Sequence, residues 1–258
     1  RRGSLVRFLW SAKELSVEPM NACHLLDLAT IERSLRDVQE NFGRLNARLD
    51  ERRDPLVDAV RNNMLEGYAL IDRCVSEGVD LFDLQQIDRL MEINTTVLCG
   101  TSPQRRQEYA DHVAATETRF FHNEDGVRDL LEWYAMHRKD SVWKRAAGVF
   151  VRILSKPQLF IEGNHRSASL IASFLLMREG LPPFVLTVDN AVAYFNPASV
   201  VRRLPKKGIR ALFQLPKIRK RYAELMIAES RTEFLLAWSN GAGAGRHNRG
   251  GRVQACRN

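Results

Sequence analysis

The stretch of sequence at residues 157–169 reads Pro-Gln-Leu-Phe-Ile-Glu-Gly-Asn-His-Arg-Ser-Ala-Ser. Gly163 lets the backbone approach a ligand closely, and the first N–H groups of the helix that follows point to the same place. Arg166 supplies a forked donor for phosphate oxygens. Glu162 supplies an oxygen ligand for the magnesium ion that accompanies a nucleotide. The stretch therefore predicts a nucleotide-phosphate site, and an ordinary helix N-terminus is the alternative.

The same stretch resembles the signature of the Fic (Fido) family, His-Pro-Phe-x-Asp/Glu-Gly-Asn-Gly/Lys-Arg-x-x-Arg. The positions that match in register are Phe160, Glu162, Gly163, Asn164 and Arg166. The resemblance covers about residues 56–203 and implies an all-α fold, a Fic-like helical bundle with a short β-hairpin flap. It implies ATP and Mg²⁺ as ligands, with the metal at Glu162. The residues it places on the phosphates are Gly163, Asn164, His165 and Arg166.

Three departures from the family pattern bear on the chemistry, and His165 stands in the Gly/Lys position. Gln158 replaces the catalytic histidine, Leu159 the proline and Ser169 the second arginine. In the family that histidine is thought to take a proton from a Tyr, Thr or Ser hydroxyl of a target protein, which then attacks the α-phosphate of ATP, so that AMP is transferred. A glutamine amide cannot act as that base. His165, the nearby imidazole, is interpreted as a phosphate donor, with a displaced base as the second possibility.

A segment upstream is similar to the family's inhibitory helix, Ser/Thr-x-x-x-Glu-Gly/Asn. Residues 62–67 read Asn-Asn-Met-Leu-Glu-Gly, which makes Glu66 an autoinhibitory candidate. The arginine with which such a glutamate pairs is Ser169 here, so the inhibitory pair cannot form as usual. A plain surface position on a helix is the alternative for Glu66.

A second segment falls where the family has its flap, a hairpin that holds the target chain by strand pairing. This β-prone run consists of Thr118, Arg119, Phe120 and Phe121. It is predicted as a strand, and an ordinary loop is the alternative.

Apolar residues elsewhere recur at helical spacing. The predicted helices cover residues 25–49, 56–75, 84–97, 126–137, 142–154, 163–180, 191–203 and 211–238. The predicted division is an N-terminal helical extension (1–55), a Fic-like core domain (56–203), a basic helical segment (204–240) and a disordered tail (241–258). The tail is rich in Gly, Arg and Asn and has no apolar period.

Composition and charge limit the class of protein. The 258 residues are 45% hydrophobic and 27% charged, as in a globular protein. The chain has no apolar run near the ~20 residues of a membrane helix and no signal-peptide pattern, so we expect a cytoplasmic protein without a membrane partner. Four scattered cysteines indicate reduced thiols, and the six histidines form no metal-binding i, i+4 pair.

The excess of basic residues lies at the C-terminal end. From Arg202 onward there are 14 Lys and Arg against 3 Glu, and the other 25 bases and 28 acids precede it. Either a nucleic-acid contact or a solvated basic face explains such a distribution. The bases that would contact phosphates are Arg202, Arg203, Lys206, Lys207, Arg210, Lys217, Arg219, Lys220 and Arg221. Aromatic residues are sparse among them, which weakens base stacking.

Three functions therefore remain open from the sequence. The first is a protein adenylyltransferase-like enzyme with altered residues, acting on a hydroxyl of a target protein. The second is a nucleotide-binding pseudoenzyme or regulator that kept the site and lost the base. The third is a helical nucleic-acid-binding protein that uses the basic C-terminal segment.

Overall fold

The computed structural model describes residues 25–236. In chain order the helices are α1 Leu28–Glu40, α2 Phe42–Asn46, α3 Asp58–Ser76, α4 Asp88–Cys99, α5 Pro103–Glu108, α6 Ala110–His122, α7 Val127–Met136, α8 Val142–Leu154, α9 Asn164–Arg178, α10 Ala191–Val201 and α11 Ile209–Ala228. This part of the chain contains two isolated β-bridges and no strand. The predicted all-α fold is confirmed, whereas the predicted tail at 241–258 lies outside the described residues.

Two helices replace the predicted N-terminal helix over residues 25–49. The Asp27 carboxylate caps α1, since its Oδ1 accepts from the Thr30 N–H at 3.0 Å. The helix stops at Asn41, and α2 begins at the next residue. The apolar spacing continues across this break because both helices face one small cluster. The buried residues of that cluster are Val38, Phe42, Leu45 and Ala191.

Helix α9 lies at the centre of the fold. Twelve of its fifteen residues are buried, as expected for a helix that is surrounded on all sides. It packs against α8, α3 and α4. Close approach to α3 depends on Gly67, because a Cβ there would lie 2.4 Å from Leu170 Cδ1. The burial of α9 fixes the position of its first residue, which is where the predicted site begins.

The predicted strand over Thr118–Phe121 is wrong, because these residues form the end of α6. The buried residues of this helix are Thr116 and Phe120, and their spacing of four places both on one helical face. Packing of Phe120 into the core thus outweighs the β-propensity of the run. A helix has no open backbone edge, so this segment cannot hold an extended chain as a hairpin flap would.

The two ends of the described chain meet. Helix α11 stops at Ala228 rather than at residue 238, and a 3₁₀ turn covers Thr232–Phe234. The Asp27 N–H donates to the Phe234 carbonyl at 2.9 Å. One continuous core runs from Leu26 to Phe234, and the domain boundaries at 55, 203 and 240 remain predictions. Among residues 25–236, no helix is long and apolar enough to cross a bilayer.

Candidate functional site

The loop that precedes α9 is held by one buried asparagine. Asn164 Oδ1 accepts from the Phe160 N–H and Asn164 Nδ2 donates to the Phe160 carbonyl, both at 2.9 Å. The Phe160 ring is fully buried and stacks on Phe120 with centroids 5.6 Å apart. The Phe and Asn of the signature therefore shape the loop, and the side-chain amide of the buried Asn164 is occupied by these contacts.

A second asparagine, in α4, fixes the other half of the loop. Asn94 Nδ2 donates to the Glu162 carbonyl at 2.9 Å and to Ser167 Oγ at 3.0 Å. Gly163 has φ 72°, and a Cβ on it would lie 3.0 Å from Asn94 Nδ2. Only glycine fits easily in this left-handed conformation. The sequence gives no signal for Asn94, since a single asparagine in a helix has no recognisable pattern.

The N-terminus of α9 has the features of an anion site. No side chain caps the helix, and its first backbone bond runs from the Ser167 N–H to the Gly163 carbonyl at 2.9 Å. The preceding N–H groups carry the positive end of the helix dipole. The exposed Glu162 side chain belongs to the same turn. The structure thus brings an exposed acid and uncapped N–H donors to one place.

Arg166 lies one turn into α9 and is largely buried. Its Nη1 donates to the Val97 carbonyl at 2.6 Å, which leaves its other N–H donors for a ligand. Burial lowers the pKa of Arg166, while the negative charge of Glu162 opposes that shift. The guanidinium stays charged at neutral pH, because an arginine titrates far above it. Arg166 can therefore serve as a fixed, cationic phosphate donor.

The acid expected to hold magnesium is a single carboxylate. Among residues 25–236, no cluster of three His, Cys, Asp or Glu could hold a metal ion. Magnesium is commonly bound by one or two carboxylates together with substrate phosphates and water. Glu162 fits that role only with a phosphate present, so a metal here would arrive with its nucleotide.

Gln158 lies beside the start of α9. Its Nε2 donates to the Leu154 carbonyl at 3.4 Å, and its Oε1 accepts from Asn164 Nδ2 at 3.5 Å. Its backbone carbonyl accepts from Arg119 Nε at 2.9 Å. The position expected for the catalytic histidine is therefore next to the helix N-terminus, and an uncharged amide occupies it.

His165 points away from solvent, into a cationic and aromatic environment. Its Nε2 accepts from Arg53 Nη1 at 3.3 Å, and its Nδ1 is buried without a hydrogen-bond partner. Burial, followed by the charges of Arg53, Arg202 and Arg166, lowers the pKa of His165 to about 3. The ring is neutral at physiological pH and is a very weak base. This arrangement disfavours His165 both as a displaced base and as a charged phosphate donor.

Arg53 contacts His165 of the candidate site, although no sequence pattern predicts this contact. The Asn46 side chain holds its backbone, accepting from the N–H at 2.8 Å and donating to the carbonyl at 2.9 Å. Arg53 Nη2 donates to Ser199 Oγ at 2.7 Å. It is 112 residues from His165 in the chain, so no local pattern could connect them.

Ser169, in place of the second family arginine, is 5% exposed. Its backbone carbonyl accepts from Ser173 Oγ at 2.9 Å. The inhibitory candidate Glu66 is used elsewhere, because its Oε2 accepts from the Thr101 N–H at 2.7 Å. Among residues 25–236, Glu66 forms no ion pair with Arg166 or with another cation, and its role as an inhibitory residue stays a prediction.

The predicted flap residues do lie beside the signature loop, although they are helical. A groove of about 540 Å³ separates the end of α6 from Ile161 of the loop. Its lining residues are Thr118, Arg119, His122, Asn123, Glu124 and Ile161. The groove is open to solvent and adjoins Gln158 through Arg119.

Many of the basic residues considered for nucleic-acid binding are paired. Arg202 and Arg203 both bind Glu51. Lys206 is buried against Asp129, and its burial lowers its pKa to about 8. The remaining pairs are Lys207 with Asp125, Arg219 with Asp140 and Lys220 with Glu224. These pairs reduce the charge that nucleic acid could use.

Comparison of the chain with protein-family models, with curated proteins and with solved structures gave no match. The resemblance to the Fic signature therefore rests on the quoted residues of the loop.

Proposed function

We propose that this chain binds the phosphate groups of a nucleotide, ATP in the first instance, at the N-terminus of α9. The observation that supports it is the rigid opening of this helix. Gly163 adopts a left-handed conformation, no side chain caps the N–H groups that follow, and Glu162 and Arg166 flank them. An uncapped helix N-terminus with an arginine favours bound anions.

Each part of this arrangement has a role in the proposal. The N–H groups of the first turn and the Arg166 guanidinium bind phosphate oxygens. Glu162 supplies one carboxylate ligand to a magnesium ion that the phosphates also bind. Asn94 and Asn164 hold the loop in its binding shape and so reduce the ordering cost on binding.

A pseudoenzyme or regulator is the function that this geometry favours. Group transfer needs a base near the hydroxyl of the target, and Gln158 has no titratable group. His165 is poorly suited to replace it, because burial and the neighbouring arginines lower its pKa to about 3. The site therefore retains groups suited to holding a nucleotide and lacks one suited to proton transfer.

Transfer of AMP to a target protein is the second candidate. The groove between α6 and Ile161 favours it, since about 540 Å³ of open space adjoins the loop. A hydroxyl-bearing segment of a target could lie there, next to the bound nucleotide. Self-labelling by labelled ATP and magnesium distinguishes the two candidates, because the pseudoenzyme would remain unlabelled.

Calorimetry with ATP tests the site through Glu162→Gln. This side chain is exposed, so the variant should fold like the parent. We expect it to bind ATP with magnesium more weakly and ATP without magnesium as well as the parent does. Glu124→Gln, an exposed carboxylate of the neighbouring groove, is the matched control. Equal binding by Glu162→Gln, or no binding of ATP by the parent, would show that the proposal is wrong.

Arg166→Lys tests the phosphate contact separately. The lysine keeps the positive charge and loses the planar fork that binds two oxygens. We expect about tenfold weaker ATP binding, in line with the loss of one charge-assisted hydrogen bond. Arg178→Lys, at the other end of the same helix, is the control and should bind like the parent. Thermal unfolding of each variant separates lost binding from lost folding.

A further inference from the structure

Helix α11 buries one side and leaves a row of large apolar residues on the other. Ile209, Leu212 and Phe213 expose 78%, 70% and 65% of their surface. Their spacing of three and four residues places them side by side on one face. We call these three residues the α11 stripe. Nothing within residues 25–236 covers the stripe, and apolar residues this exposed and this close together mark a contact surface.

The α11 stripe lies in the most basic part of the chain. Residues 202–223 contain nine Lys and Arg and no Asp or Glu. Arg210 and Lys217 are exposed, and their spacing of seven residues places them on one face, directly beside the stripe. Neither makes an ion pair within the described part of the chain. The surface therefore combines protruding apolar side chains with unpaired positive charge.

Exposed apolar side chains beside unpaired cations restrict the class of partner that this surface can bind. Nucleic acid would use the cations and leave Ile209, Leu212 and Phe213 in water. A second copy of the chain, joined by two-fold symmetry, would bring Arg210 and Lys217 against the same charges. An anionic bilayer satisfies both features, since headgroups attract Lys and Arg while the interface takes up Leu and Phe.

We propose that the α11 stripe and its flanking cations form a peripheral contact with an anionic lipid bilayer. Helix α11 lies along the body of the protein, with Ala211 and Ile218 facing the core. Its axis can therefore lie parallel to the bilayer while the stripe enters the headgroup region. The contact requires no spanning helix, and the expectation of no membrane partner rested on the absence of one. It is independent of the nucleotide site.

Sedimentation of the full chain with vesicles tests this contact. We expect binding to vesicles of phosphatidylcholine with phosphatidylserine at low salt, and little binding to phosphatidylcholine alone. The double variant Leu212→Ser/Phe213→Ser should lose most of the binding. Arg210→Gln/Lys217→Gln should weaken it by about tenfold or more, given the usual contribution of each surface cation. Added salt should weaken the parent for the same reason.

Matched controls come from elsewhere in the chain. Leu84→Ser removes an apolar side chain that is 77% exposed in the loop before α4. Arg33→Gln/Arg48→Gln removes two exposed cations near α1 and α2. Both should bind vesicles like the parent, and all variants should keep its melting temperature because the changed side chains are exposed.

Two results would overturn the inference. One is no sedimentation of the parent with anionic vesicles, or sedimentation that survives both α11 variants. The other is tight binding of a labelled DNA duplex that the Gln variant loses and the Ser variant keeps, which would assign the face to nucleic acid.

Discussion

The starts of α9 and α11 are alike locally and differ in their surroundings. Gly163 precedes α9 with φ 72°, Gly208 precedes α11 with φ 100°, and neither helix has a side-chain cap. An arginine follows within the first turns of each helix. Local sequence therefore offers a phosphate two similar helix N-termini.

The two starts differ in what lies around them. At α9, Asn94 and Asn164 fix the preceding loop, and Arg166 is held by the Val97 carbonyl. At Gly208, an added Cβ would meet no atom within 4 Å. A rigid loop can position donors for a small ligand, whereas an open, exposed start is suited to an extended surface.

The largest expected effect is on group transfer at α9. Gln158→His would place an imidazole beside the helix N-terminus, and a positioned base is typically worth about 10²–10⁴-fold in rate. We expect label transfer from ATP to the protein or to a lysate to rise above the parent. Gln214→His, an exposed glutamine on α11, should transfer nothing. If Gln158→His folds and binds ATP without labelling anything, the α9 loop is not a transfer site that lacks only its base.

The next largest effect is on stability. Asn164→Ala would leave the buried Phe160 N–H and carbonyl without partners, at a cost of about 2–4 kcal/mol in the free energy of unfolding. Gln214→Ala on the exposed face of α11 should change it by less than about 0.5 kcal/mol. Urea unfolding measures both. Similar losses in the free energy of unfolding for the two variants would contradict the view that Asn164 holds the α9 start in place.

The stability of the folded protein should depend on pH through His165, because burial lowers the pKa of its ring. Its pKa is about 3 in the folded protein against 6.5 unfolded, so below pH 6.5 the unfolded chain binds the proton and the folded state does not. Stability should fall as the pH drops from 6.5 towards 3, by about 2 kcal/mol at pH 5. His165→Gln should flatten the urea-midpoint profile over that window. A profile identical to that of the parent would place the ring in water.

The smallest expected effect is the difference between alanine substitutions at Gly163 and at Gly208. Gly163→Ala should cost about 1–2 kcal/mol of stability through its left-handed backbone and its closeness to Asn94, and should weaken ATP binding. Gly208→Ala is strained as well but should leave ATP binding unchanged. Calorimetry beside thermal unfolding separates the two. Equal ATP affinity of the two variants would contradict a special role for the α9 start.

Part of the fold follows from the sequence. Helix α8 has the predicted bounds, and α9 begins at the predicted Gly163–Asn164 step because apolar spacing and glycine act locally. Helices α5 and α6 were missed, since their apolar residues are few and the run at 118–121 is β-prone. The burial of Phe120 against Phe160 decided its conformation.

The candidate site also has residues that the sequence predicts and residues that it does not. The sequence supplied Glu162, Gly163 and Arg166 as neighbours in one turn, because adjacent residues at a helix start must lie together. It could not supply Asn94 or Arg53, which are 68 and 112 residues from their partners in the loop and in α9.

What the sequence determined by itself is the helical class and the chemistry of the α9 start, since both depend on residues within a few positions of one another. The tertiary structure decided that His165 is half-buried beside arginines and neutral, and that Glu66 binds the Thr101 N–H. It also decided that the flap candidate is a helix. These properties depend on burial and on charges from distant parts of the chain, because a pKa or a hydrogen-bond partner is set by three-dimensional surroundings.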